Sequence, residues 1–316
     1  MSGAARILIA LALVGAAASG PGCGGHAPVV VVPSRAVTAG DALWARLPPG
    51  AAIVLEVDVA RLRANPAVGA AITALVAPAP TAGVADEPTP GAALAAMTDA
   101  PLAGARAIVL AAYAVGTPAA TTITIVDGVG APPQATPLAD GVWALAVEGD
   151  VARLLAVAGG GPSLADDRAL AALRTVAMPA AAEGAAVRLT ARLEPAARRA
   201  LAEVLGQNDA PAAISAWLDV ADDLALIAWV GGEPAWSAAM LTRLRDRAAA
   251  SEVAGGLGLT PVIAVAPVAR ERAAARLTVV VTPARLGRVV ARALERLRAV
   301  DPAGGAAPGG RVGSPR

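Results

Sequence analysis

The chain has 316 residues, 56% of them hydrophobic but only 2% aromatic, with a formal net charge of +1 and a mean hydropathy of +0.60. Its 26 basic residues are all arginines, interspersed with 25 acids, which argues against a nucleic-acid surface. Cys23 and His26 are the single cysteine and histidine, so an internal disulfide and a metal or catalytic cluster built on those residues are excluded from the folded body.

Arg6, the apolar run from Ile7 to Ala18 and the small residues after it have the three parts of an export signal, expected over residues 1–22. The run stops at Gly20-Pro21-Gly22, short of the roughly 20 apolar residues that a spanning helix needs. Three routes lead on from it. Ala16-Ala17-Ala18 offers a small-x-small cleavage pattern that leaves Cys23 as a spare thiol, Cys23 can itself become the first residue and carry a lipid, or the leader stays as an anchor. All three place the folded part outside the cytoplasm. Residues 23–39, rich in Pro, Gly and Val, are expected to form a disordered tether.

The alternation of Ile53, Leu55, Val57 and Val59 with Val54, Glu56 and Asp58 predicts a strand over 51–59. Asp58 is placed to cap a helix running to Val76, which Pro66 kinks or restarts. A hairpin follows, Ala105–Val115 and Ala120–Asp127, turning at Gly116-Thr117-Pro118. By length alone the uncharged stretch 107–126 could cross a membrane, but the turn and the threonines within it read as a hairpin. A strand over 142–148 and a helix led by Asp150 close this half, with a linker helix over 164–176.

The same grammar returns with a strand over 185–193, Glu194-Pro195 opening a helix, a linker helix over 212–220, and a hairpin pairing 223–230 with 235–244. A helical insertion is expected over 245–272, then a strand over 275–281, a helix from Thr282-Pro283 onward and a disordered tail over 301–316. Asp58-Val59-Ala60-Arg61-Leu62 recurs as Asp150-Val151-Ala152-Arg153-Leu154. The expected fold is therefore α+β, a two-fold repeat of β-α-β-β-β-α over 40–176 and 177–300, with largely antiparallel sheets and helices packed on one face.

Candidate sites are few. Glu56 and Asp58 share a strand face and could converge on a sugar or calcium ion, but they read better as a solvated strand residue and a helix cap. Asp166-Asp167 and Asp222-Asp223 read as a helix start and a strand-entry turn, and the runs at Gly159 and Gly255 lack the residues of a phosphate loop. Trp217, Trp229 and Trp236 gather in the second half; Trp229 and Trp236 flank a turn, and an exposed pair would mark a ligand surface, against the simpler reading as core. No metal or cofactor is expected.

Leu47-Pro48-Pro49-Gly50-Ala51, a strand and the Asp58-led helix resemble the start of envelope lipoproteins of unknown function from GC-rich bacteria, and the leader resembles a bacterial lipoprotein signal. It departs from that signal where Gly20, Pro21 and Gly22 stand in place of the usual leucine-bearing box. The resemblance implies a place, the periplasmic side of a membrane or the cell surface, with Cys23 as the lipidated residue; it implies no activity. The leading expectation is a non-enzymatic, membrane-tethered interaction or scaffold module. A carrier of apolar ligands gated near Trp229 or Trp236 is the alternative, and an enzyme using Glu56 with Glu148 or Glu183 the third.

Overall fold

In a computed structural model, the chain is described over residues 39–76, 104–182 and 184–299. The leader, Cys23, His26, Glu183, the tether up to residue 38 and the tail 301–316 lie outside the described residues. In chain order the elements are α1 (Ala39–Trp44), β1 (Ile53–Asp58), α2 (Val59–Ala64), α3 (Gly69–Val76), β2 (Ala105–Tyr113), β3 (Thr121–Gly128), β4 (Thr136–Ala139) and β5 (Val142–Leu145). They continue with α4 (Glu148–Ala158), α5 (Arg168–Val176), β6 (Val187–Arg192), α6 (Pro195–Leu205), β7 (Ala213–Val220), β8 (Leu224–Gly231), α7 (Pro234–Ala249), α8 (Glu252–Leu257), α9 (Thr260–Ile263), β9 (Val268–Glu271), β10 (Ala274–Val281) and α10 (Pro283–Ala299).

All ten strands join one antiparallel sheet in the order β4-β5-β3-β2-β1-β6-β7-β8-β10-β9. The seam lies between β1 and β6, where Leu55 stands opposite Leu189 and Glu56 opposite Arg188. Read outward from this seam, the strands run 1-2-3-5-4 on one side and 6-7-8-10-9 on the other.

Alternation along the strands supplies two covered faces. Val54 joins Leu43, Trp44, Val109, Ile123, Leu170 and Leu173 in a core beneath α1 and α5, on what we call the first face. Its neighbours Ile53 and Leu55 pack on the other side with Leu189, Ala197 and Leu201 of β6 and α6. That second face continues under α7 to α10, where Leu226, Leu277 and Val279 meet Met240, Leu241, Leu259 and Leu286. Burying both sides lets β1 be apolar at three successive positions, Ile53 to Leu55, and buried at four, instead of alternating.

Several expectations need correction. Helices cover both faces of the sheet, not one. Segment 212–220 is strand β7, and its hairpin partner is β8, joined through a tight turn in which the Ala221 N–H donates to the Asp223 carbonyl. Segment 235–244 belongs to helix α7: Glu233 accepts from the N–H groups of Ala235 and Trp236, and Pro234 occupies the first turn. The insertion 245–272 is helical only as far as Ile263 and ends in edge strand β9.

The break at Pro66 does restart the helix, because Asn65 turns the chain between α2 and α3. Its side-chain oxygen accepts from the N–H groups of Ala67 and Val68, while its nitrogen donates to the carbonyls of Val220 and Ala221 at the β7–β8 turn. Asp58 caps α2 through the Arg61 N–H, and Asp167 caps α5 through the Leu170 N–H. Asp150 does not cap α4; it sits inside the first turn, buried, and accepts from Arg153 at 2.8 Å.

Candidate functional site

The polar centre of the molecule is built on the seam. Glu56 projects from the first face of β1 and is 5% exposed, so the expectation of a solvated strand residue is overturned. Leu170 and Leu173 seat α5 on the sheet, and one residue later in the same turn Arg174 reaches Glu56. Its Nε donates to Glu56 Oε1 at 2.7 Å and one Nη to Oε2, while the other Nη engages Asp41 of α1. The Arg174 guanidinium also lies 4.8 Å from the Trp44 ring centroid. From β6, Arg188 brings Nη1 to 3.6 Å from Glu56 Oε2 and is itself 3% exposed.

Burial acts against the Arg174 charge, but the hydrogen bonds and charges of Glu56 and Asp41 outweigh it and hold the guanidinium above its ordinary value. Two acids and two arginines thus balance. Both Glu56 oxygens are turned to guanidinium groups, so its charge is committed to these arginines. Glu148, its proposed catalytic companion, is exposed at the start of α4, beyond β5. That is three strands from β1, on the order of 14 Å at the usual strand spacing.

Beside this centre two hydroxyls stand together. Thr190 of β6 faces Ser215 of β7 across the ladder, each is fully buried, and neither hydroxyl has a hydrogen-bond partner among the described residues. Buried polar groups of this kind are commonly completed by internal water. Sequence reasoning missed the network because pairs such as Glu56 and Arg174 are distant in the chain and Arg188 alternates with apolar residues like any strand charge.

Trp229 and Trp236 are not brought to one site, although Trp217 and Trp229 share one cluster on the first face. Trp229 lies on the first face and donates Nε1 to Glu271 Oε2 at 2.9 Å, a carboxylate that also accepts from Arg276 Nε at 2.6 Å. Trp236, in the first turn of α7, packs into the core of the second face. Trp217 is buried and donates to the Gly184 carbonyl at 2.8 Å.

On the second face a cleft of about 270 Å³ opens between the C-terminal end of α6 and the middle of α7. Leu205, Met240 and Leu244 give it apolar walls; Gln207, Arg243, Asp246 and Arg247 supply its polar groups. Met240, Arg243, Leu244 and Arg247 follow helical spacing and so form one stripe of α7. Sequence reading missed this stripe because it took the first part of α7 for a strand.

Among the described residues no helix is long and apolar enough to cross a membrane, and no group of three His, Cys, Asp or Glu residues is placed to hold a metal ion. No family model matches the chain, nor does any curated protein. Among solved structures, that of TP0453 in its crystal form I covers 79% of this chain and 97% of its own, at 10% identity and a TM-score of 0.40.

Proposed function

We propose that the protein is an exported, non-catalytic envelope module, held at a membrane by a lipid on Cys23 and acting through its surface on an envelope partner. The observation that carries the non-catalytic part is the arginine-locked Glu56, the most buried acid on the seam, whose pairing fixes α1 and α5 to the sheet. The leader and the Pro-rich stretch after Cys23 support the location. Intact-mass measurement of protein extracted from membranes tests the tether: a diacylglyceryl addition at Cys23 is expected, and Cys23→Ala should move the protein to the soluble fraction. Wild-type protein that is already soluble refutes it. Cross-linking in the native envelope followed by pull-down is expected to return the same partner reproducibly; recovery of free protein alone counts against an interaction module.

We infer in addition that the halves 40–176 and 177–300 are diverged copies of one unit. The mirrored strand order about the β1–β6 seam supports this, as does a helix following the first strand of each half on the second face. Each half also carries one more short strand, β4 or β9, than the expected β-α-β-β-β-α. The closing helices diverge: Leu154 of α4 packs on the first face and Leu286 of α10 on the second. In a crystal structure β1-β2-β3-β5 should superpose on β6-β7-β8-β10 through a single half-turn about the seam, and an operation of any other kind would sink the duplication.

A further inference from the structure

We propose that the cleft between α6 and α7 binds the carboxylate end of a single acyl chain. This goes beyond the tethered-module reading and stands or falls separately from it, since it rests on the residues at α6 and α7 alone.

The chemistry follows from what each wall offers. Leu205, Met240 and Leu244 supply the apolar part of the lining, which favours hydrocarbon over a sugar or a nucleotide. The charges beside them are unequal. Asp246 accepts two bonds from Arg245, at 2.9 and 2.7 Å, so that acid is already compensated. Arg243 is exposed and has no hydrogen-bond or ion-pair partner among the described residues. Arg247 spends one N–H on the Leu205 carbonyl, at 3.4 Å, and keeps the rest of its five donors. The cleft therefore offers two guanidinium groups in excess, spaced four residues apart on one helix face, beside apolar side chains. A planar carboxylate matches the guanidinium fork, and an alkyl chain matches those side chains.

Size narrows the class further. At about 270 Å³ the cleft lies just under the range of roughly 300–1,000 Å³ typical of small-molecule sites. It accommodates one chain or the anchoring end of a longer one, and two-chain phospholipids exceed it. Gln207, which also lines the cleft, supplies an amide able to complete the carboxylate's hydrogen bonding.

The test is titration calorimetry of the purified full chain with decanoate, with decanamide as the uncharged probe of equal length and phosphatidylglycerol vesicles as the two-chain source. Saturable decanoate binding is expected, at least tenfold tighter than decanamide. Arg243→Glu should weaken it at least tenfold with an unchanged far-ultraviolet spectrum. Gln207→Trp, which adds bulk to the cleft's lining, should do the same, and Arg168→Glu on the opposite face of the sheet should leave affinity unaltered. Equal affinity for decanamide, no effect of Arg243→Glu, or binding to vesicles without binding to decanoate would each overturn the proposal.

Discussion

Arg174→Met removes the central cation of the seam while keeping most of the side chain's volume. The Glu56 side chain is 7% exposed and that of Arg188 is 3% exposed, so Glu56 would be left facing only a guanidinium 3.6 Å away and out of hydrogen-bond range. Breaking one partner out of a buried ion pair costs about 3–5 kcal/mol. The lower end applies here, because Arg188 still offsets part of the charge and the Asp41 side chain, 24% exposed, can turn to water. A loss of about 3 kcal/mol corresponds to a fall in melting temperature on the order of 10 °C for a folded body of this size. Urea unfolding of Arg174→Met, Glu56→Gln and the double variant completes a cycle. The double variant should be more stable than the two single losses imply, by about 1.5 kcal/mol or more, since the uncompensated carboxylate is no longer there to be buried. A single-variant cost under about 1 kcal/mol, or strict additivity, would mean that water reaches Glu56 and that the seam is not locked by charge.

Other consequences are equally accessible. Asn65→Ala frees the carbonyl of Val220 and the N–H groups of Ala67 and Val68, and should cost about 2 kcal/mol in urea unfolding; a neutral result would show that water replaces all of these bonds. The β2–β3 turn carries an opposed pair. Gly116 has φ +80° and an added Cβ would lie 2.4 Å from the Ala196 carbonyl, so Gly116→Ala should destabilise by about 2 kcal/mol. Ala114, at φ 47°, bears a left-handed strain of about 1–2 kcal/mol that Ala114→Gly relieves against about 0.4–1 of unfolded-state entropy, for a net gain near 0.5. Thermal melts that reverse either sign refute the strain assignment.

Asp167 gives a pH dependence of defined sign. The Arg192 hydrogen bond, then the Leu170 N–H, hold its carboxyl below the ordinary 3.8. Its contribution is therefore fully present above that value and is lost as pH falls below it through the lower folded value. Asp167→Ala should cost about 1 kcal/mol at neutral pH and flatten the acid limb of the stability curve; an unchanged acid limb would contradict the assignment.

What could be read from the chain follows the physics of each segment. β1, the β2–β3 hairpin and the caps at Asp58 and Asp167 were legible because a turn or a capping side chain marks their ends. β7 was not: Ile214, Trp217 and Leu218 fall at helical intervals, while the strand is nearly continuously apolar because both its faces are covered, so no alternation betrays it. α7 was misread although Glu233-Pro234 repeats the Glu194-Pro195 signal that correctly opened α6. Alanine on both sides of a helix dilutes the contrast on which the 3.6 period depends. For the cleft, Leu205 and Leu244 come from helices separated by β7 and β8, and no local pattern brings them together.

The seam between β1 and β6 also sets an order of events. β1 is an early element of the chain, yet half of its backbone hydrogen bonds wait for β6, which follows the whole of the first half in sequence. Until Leu189 meets Leu55, the first five strands carry an open apolar edge at what becomes the middle of the sheet. Closure of so distant a pairing is slow compared with hairpin formation. During that interval the growing chain presents a ready template for pairing with another copy of itself. The native sheet leaves its short edge strands, β4 with Pro137 and β9 with Arg270, at the rims, where such pairing is least favoured. Its most adhesive strand is thus protected only once synthesis has passed β6, so aggregation should be governed by the lifetime of the unsealed first half more than by the finished surface.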